Sequence, residues 1–301
     1  MSSAEVAVRA FRQLENEDLR ILQIIETSMS RREFVPVEQI VKFSELPMDR
    51  VKFILIKLDK LGFIYRMKGA YVGHTLNYAG YDCLAINAFV KAGLIDAFGR
   101  SLGVGKEADV FEALTPKSSH VAVKFHRLGR ISFRQTRRKR GYTAEHAAWL
   151  FQSRLAAEKE FQALKIVYEN GVAVPKPLSQ NRHAIVMGFI EGAELANWRR
   201  LENPEKVLRT ILRNVRNAYK KACVVHADLS EYNIILKGGR QVLIIDWPQF
   251  VTTDHPNAGE LLERDVRNIL SFFSRRFRVK TEPAKVVAYV SGKTRSFKLS
   301  A

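Results

Sequence analysis

The chain has 301 residues, a hydrophobic share of 47% and a formal net charge of +18. That size supports a substantial core and about two domains, and without a run of ~18 apolar residues a membrane span and a membrane partner are not expected. So one-sided a charge fits a polyanionic partner, nucleic acid ahead of a membrane surface.

The opening residues mix both charges and lack the apolar centre of a secretory signal. The isolated cysteines Cys83 and Cys223 read as buried free thiols of a cytoplasmic protein. "NEDLRILQIIETSMS" spaces Leu19, Leu22 and Ile25 as an amphipathic helix does. "VPVEQIVKFSEL" predicts a second, shorter helix. "PMDRVKFILIKLDKLG" predicts a third, with Pro47 at its start, Asp49 in its first turn and Gly62 at its stop. "FIYRMKGAYVGHTL" then alternates about "KG" as a β-hairpin would. This order is that of a winged helix-turn-helix, assigned to residues 1–80. Arg50, Lys52 and Lys57 dot the third helix, and Arg66 and Lys68 the hairpin. The winged helix is read either as entering a nucleic-acid groove or as docking a protein.

Residues 81–95 read as a connecting helix. The pattern then changes to strand, glycine turn, strand and strand through "DAFGRSLGVGKEADVFEAL" and "HVAVKFHR". The next segment, 127–144, carries the cations Arg127, Arg130, Arg134, Arg137, Arg138, Lys139 and Arg140 and no carboxylate. It predicts a mobile basic loop that contacts nucleic acid. A long helix follows from "AAWLFQSRL", then "IVMGFIEG", a further helix in "PEKVLRTILRNVRNAYKKA", and the segments "VVHADLSEYNIIL" and "QVLIIDWPQF".

The last two segments pose the chemical question, because polar groups interrupt apolar runs. Phosphoryl transfer needs nucleotide phosphates held, metal ions held and an acceptor oriented. Gly103 and Gly105, with Lys106 beside them, form a turn where backbone could approach phosphates. Ala108 stands where a full G-x-G-x-x-G has its third glycine, and the turn is not a Walker A loop. Lys124 in "VAVKF" has the form of the V-A-I-K lysine that pairs with phosphates. Glu158 and Glu160 on the following helix are its candidate carboxylate partners, and Glu160 is preferred. In H-x-D-x-x-x-x-N, from His226 through Asp228 to Asn233, the aspartate is placed to orient an acceptor and the asparagine to hold a metal. Asp246 ends an apolar strand, where a carboxylate is costly unless it binds something such as Mg²⁺.

Together "GVGKEADVF", "VAVKFHRLGR", "AEKEF", "HADLSEYNI", "IIDWPQ" and "HPNAGELLERDVRNI" resemble the signatures of the RIO family of atypical protein kinases. The N-terminal winged helix and "KFHRLGRISFR" resemble its type-two subfamily, and the short final stretch resembles archaeal members. The resemblance implies an α+β chain: a winged helix, then a two-lobed kinase-like domain with an N-lobe over 96–190 and a C-lobe over 191–301. It implies a serine/threonine protein kinase and ATPase using ATP and Mg²⁺, with Mn²⁺ as a substitute. Asp228 and Asp246 would be catalytic, with Asp246 also a phosphoryl acceptor in autophosphorylation. Asn233 and Asp246 would hold metal. Met187, Gly188 and Ile190 would form the adenine-binding hinge. The implied partners are the maturing small ribosomal subunit and its RNA, and a protein substrate. From ordinary protein kinases the chain departs in "IIDWPQ" for D-F-G, in Ala227 where many carry an arginine, and in the lack of A-P-E, departures that RIO kinases share; from the type-two pattern it departs at Ala108, where serine is expected. The alternatives weighed are an aminoglycoside-type small-molecule phosphotransferase and a nucleic-acid-binding regulator with a degenerate kinase domain.

Overall fold

A computed structural model of the chain describes residues 2–69, 71–128 and 142–298, with side chains left out for 142–148. The chain divides into two compact units, Met1–Glu158 with Ser179–Val186, and Lys159–Leu178 with Met187–Ala301.

The first unit begins with α1 (Ser3–Ala10), a helix not foreseen from the sequence. Its buried residues are Ala4, Ala7 and Ala10, small side chains that let it lie close against a later helix, α5. Helices α2 (Asn16–Ser28), α3 (Val37–Ser44) and α4 (Met48–Lys60) follow, as the periodicity predicts. Strands β2 (Ile64–Lys68) and β3 (Val72–Leu76) form the wing. A short β1 (Val35–Pro36), at the start of what the sequence reads as helix, adds a third strand against β3.

The cations of α4 are partly spent within the unit. Lys57 pairs with the buried Asp18 at 2.6 Å, and Arg50 with Glu17 at 2.6 Å and Glu15 at 3.3 Å. Lys52 remains exposed beside Phe53 and Ile56, which are 59% and 52% exposed.

Helix α5 (Tyr78–Lys91) is capped by Asn77, whose side chain accepts from the Gly80 N–H. Gly80 is required there, since a Cβ would lie 2.3 Å from the Phe63 carbonyl oxygen. The sheet β4–β5–β6–β8–β7 comprises β4 (Ala97–Val104), β5 (Ala108–Leu114), β6 (His120–His126), β7 (Pro177–Asn181) and β8 (Ala184–Gly188). In β6, Val121 through His126 are all buried, because both faces of this central strand are covered.

Arg127 corrects the sequence reading. It is 2% exposed, and its guanidinium donates to both oxygens of Asp82 at 2.7 Å. The same carboxylate accepts from His183 Nε2 at 2.6 Å, and Tyr78 and Phe125 present their rings to the Arg127 cation. Arg127 is therefore a core ion-pair residue rather than a nucleic-acid contact; the buried Asp82 carboxylate outcompetes any exposed position for it. Arg130, Arg134, Arg137, Arg138, Lys139 and Arg140 lie outside the described residues. The far end of the expected loop is also shorter, because helix α6 (Tyr142–Glu169) already begins at Tyr142. Cys83 is buried as predicted, but Cys223 is exposed; both are free thiols.

In the second unit, α7 (Pro204–Lys220), α8 (Ala258–Phe277) and α9 (Pro283–Val290) enclose an apolar core including Leu208, Ile211, Trp247, Ile269 and Phe273. Asn203 caps α7 by accepting from the Lys206 N–H, and Pro204 opens the helix. The short β9 (Ala193–Glu194) pairs with β11 (Ile234–Lys237), which also pairs with β12 (Gln241–Ile244); β10 (Val224–Val225) pairs with β13 (Val251–Thr252).

Candidate active site

The second unit brings together the three polar residues singled out after β10. The hairpin of β11 and β12 sets Ile234 opposite Ile244, and the Ile245 N–H donates to the Asn233 carbonyl at 2.9 Å. Asn233 therefore sits beside the strand end that carries Asp246, across a hairpin whose turn is "KGG". The Asn233 side chain donates to the Asp228 carbonyl at 2.8 Å, tying the loop's first and last polar groups. The Asp228 side chain is exposed; Asp246 and Asn233 are half-buried.

Two residues in this loop system hold backbone angles that L-residues avoid. Ala227 has φ 65° and Asp246 φ 68°, each a cost of roughly 1–2 kcal/mol. Side-chain contacts hold the first of them. The Ala227 N–H donates to Asp265 Oδ2 at 2.8 Å and the Leu229 N–H to Asp265 Oδ1 at 3.0 Å. Arg264 donates to the Ala227 carbonyl. Asp265 thus brackets Asp228 from both sides. Burial pushes its carboxyl up to about 6, against the opposing pull of the two N–H bonds.

His226, the first residue of the motif, is turned into the fold. It is buried, bonds through Nε2 to the Ile245 carbonyl at 3.0 Å and packs on Trp247, ring centroids 4.5 Å apart. Burial lowers its pKa, so the ring is neutral and donates the Nε2 proton to that carbonyl. Its role is to clamp the Asp228 loop to the strand end that presents Asp246.

In the first unit, Gly103 pairs with Val110 and Val110 with Lys124, so the three lie in register across neighbouring strands. Directly opposed residues share a face, so Lys124 and the α-carbon of Gly103 front the same side of the sheet. Neither Gly103 nor Gly105 has a positive φ. A Cβ at Gly103 would meet nothing within 4 Å. Backbone conformation therefore does not demand glycine at that position; what glycine provides is open space over the strand, a cradle that suits phosphates. The Gly105 N–H closes the turn on the Ala108 carbonyl at 2.8 Å, and Lys106 is exposed in that turn. Lys124 and Glu160 are both buried, 8% and 1% exposed.

Met187 is buried on β8, and Gly188 and Ile190 are half-buried. The Gly188 N–H is engaged with the Lys176 carbonyl at 2.8 Å, so a role for Gly188 in binding adenine falls to its own carbonyl.

Among the described residues no group of three His, Cys, Asp or Glu side chains is placed to hold a metal. The Asn233 and Asp246 pair suits Mg²⁺, which binds through one or two protein oxygens and completes its shell with phosphates and water. Asp265 is the functional residue that sequence reasoning missed. Its signal was present: a carboxylate among Leu262, Val266 and Ile269 on the buried side of α8.

A family model described as "RIO domain" matches residues 109–286, and one described as "Rio2, N-terminal" matches residues 11–92. The RIO-type serine/threonine-protein kinase Rio2 of Methanocaldococcus jannaschii is 39% identical over 265 residues, covering 86% of this chain and 96% of that protein. The serine/threonine-protein kinase rio2 of Schizosaccharomyces pombe is 34% identical over 276 residues, covering 91% of this chain and 80% of its own. The crystal structure of the Rio2 kinase–ADP/Mg²⁺–phosphoaspartate complex from Chaetomium thermophilum matches with a TM-score of 0.84 and 34% identity, over 95% of this chain and 88% of that one.

Proposed function

The chain belongs to the RIO family, in its Rio2 branch, and from that premise we propose that it is a serine/threonine protein kinase and ATPase acting on the maturing small ribosomal subunit. The observation that carries the catalytic reading is the gathering of Asp228, Asn233 and Asp246 around one hairpin, held by Asp265 and His226 at a cost in backbone strain.

The residues divide the work. Lys124 supplies a positive charge for nucleotide phosphates on the face that Gly103 keeps open. Asp228, with both neighbouring amides fixed, orients the acceptor hydroxyl or water and takes its proton. Asn233 and Asp246 would hold Mg²⁺, which neutralises phosphate charge when bound. The Rio2 complex with ADP, Mg²⁺ and phosphoaspartate supports these ligands and an aspartate as phosphoryl acceptor, a role for which we take Asp246. An RNA partner is supported by the net charge of +18. The cations Arg130, Arg134, Arg137, Arg138, Lys139 and Arg140 are its proposed contacts; Arg127, held in the core by Asp82, is not one of them. We place the work in the cytoplasm, where free thiols such as Cys83 and Cys223 persist.

The test is Asp246→Ala. Mg²⁺-dependent ATP hydrolysis should be abolished while the melting temperature holds. Hydrolysis within threefold of wild type would move the metal site elsewhere. The family assignment displaces the aminoglycoside-type alternative. A degenerate regulator would show no hydrolysis even in the wild-type chain, so the same assay separates that reading.

A further inference from the structure

The second unit carries a basic cavity whose lining shares no residue with the catalytic loop. It measures about 360 Å³, and Lys206, Arg209 and Arg213 of α7 line it together with Arg295 of the C-terminal segment. Thr210 and Ser296 add hydroxyls to its wall.

The cavity is built by pinning the tail onto α7. Arg209 donates to the Phe297 carbonyl at 3.3 Å and lies 5.2 Å from the Phe297 ring centre. Arg216 donates to the Thr294 carbonyl at 3.1 Å, also to the Tyr289 carbonyl, and stacks over the Tyr289 ring at 4.7 Å. Gly292, with φ 87°, leaves room for Lys220, whose Cδ would lie 2.8 Å from a Cβ there. Two arginines are thus used as pegs, and the result is that Arg295 is brought to the same cavity as Lys206 and Arg213.

Among the described residues, Lys206, Arg213 and Arg295 have no carboxylate within ion-pair distance, and all three are exposed. The one carboxylate of α7, Glu205, makes no ion pair with any described residue. Like charges gathered around one cavity repel, and the arrangement becomes favourable when an anion enters. The cationic row runs on along α7 from Lys206 to Lys220, about 21 Å at 1.5 Å per residue. A single phosphate group would engage only a fraction of it, whereas a nucleic-acid strand presents one charge per ~3.4 Å.

We propose that this cavity and the α7 row form an RNA-backbone binding site, separate from the basic segment after Arg127. It rests on the RNA reading above and adds a second footprint on the other unit of the chain. Because its donors are cations and hydroxyls, it fixes position and carries little base specificity.

The experiment measures affinity of the full chain for a labelled single-stranded fragment of small-subunit ribosomal RNA from low to moderate salt. Three proteins are compared: wild type, the triple variant Lys206→Gln, Arg213→Gln, Arg295→Gln, and the variant neutralising Arg137, Arg138, Lys139 and Arg140. The triple variant should lower the salt slope by about 2, at roughly 0.7 per phosphate contact, and weaken binding about a hundredfold at 0.1 M salt. Its ATP hydrolysis and melting temperature should match wild type, since it spares both Arg209 and Arg216. Ultraviolet crosslinks between wild type and this RNA should map to peptides spanning 204–220 and 291–298. A wild type that binds no RNA overturns both this site and the RNA reading. Binding by wild type, lost only in the 137–140 variant and unchanged in the triple variant, overturns this site alone. So does a triple variant that keeps RNA affinity but loses binding of a phosphoserine peptide.

Discussion

Asp265 shows how one buried carboxylate can fix the conformation of a candidate catalytic loop. It satisfies the N–H groups on either side of Asp228, and Ala227 is held left-handed between Asp265 and Arg264. Asp265→Ala would leave two buried donors unmet, at about 1–3 kcal/mol each. Asp265→Asn keeps one acceptor and should retain the fold, while ATP turnover falls more than tenfold with little change in nucleotide affinity. Equal turnover in the two proteins would remove Asp265 from the positioning of Asp228. Lys124 admits a parallel test, since its loss should reduce turnover by roughly 10²–10³, read in the same assay.

Helix α5 is joined to the residue that follows strand β6 through Asp82 and Arg127, a pair 0% and 2% exposed. Arg127→Ala would strand the Asp82 carboxylate in the core and should destabilise the chain by about 3–5 kcal/mol in denaturant unfolding. Replacing both residues with apolar ones of similar size should recover much of that loss. If instead Arg127→Ala left stability intact and lowered the salt slope of RNA binding, Arg127 would return to the interface. A second bridge, Arg182 to both oxygens of Glu26 at 2.7 and 2.6 Å, ties the β7–β8 turn to α2. The winged helix and the sheet therefore form one compact unit. With Arg50 and Lys57 turned toward α2, the outer face of α4 shows Lys52, Phe53 and Ile56, which suits a protein surface better than a phosphate backbone.

The pH dependence of stability sums groups from both units. His74 and His183 are lowered to about 4 by burial, and His226 is lowered for the same reason. Each folded value lies below the ordinary 6.5, so the unfolded chain binds more protons between the two. Their stabilisation is present above pH 6.5 and is lost as pH falls toward 4. Asp265 works in the opposite sense. Its folded value of about 6 exceeds the ordinary 3.8, so its protonation favours the fold as pH falls through that window. The histidines outnumber it, and stability should decline on acidification, at about 1.4 kcal/mol per pH unit for each proton of difference. Asp265→Asn should make the decline between pH 6 and 4 steeper than in wild type, measured by urea unfolding at fixed pH values. An unchanged slope would mean that Asp265 titrates alike in both states.

Much of the site was legible along the chain because its parts are local. H-x-D-x-x-x-x-N sits on one loop, Asp246 follows a two-stranded hairpin, and Gly103 and Lys124 lie on strands joined by short turns. The helix periods and stop residues likewise located α2, α3 and α4. What sequence distance concealed were partnerships set by packing. Arg127 looks like the first cation of a basic run until Asp82, 45 residues earlier, claims it in the core. Asp265 lies 38 residues beyond the amide it caps, and Arg295 meets Lys206 only after the tail folds onto α7. A buried charge must find its partner wherever the chain brings one, and no local pattern records that choice.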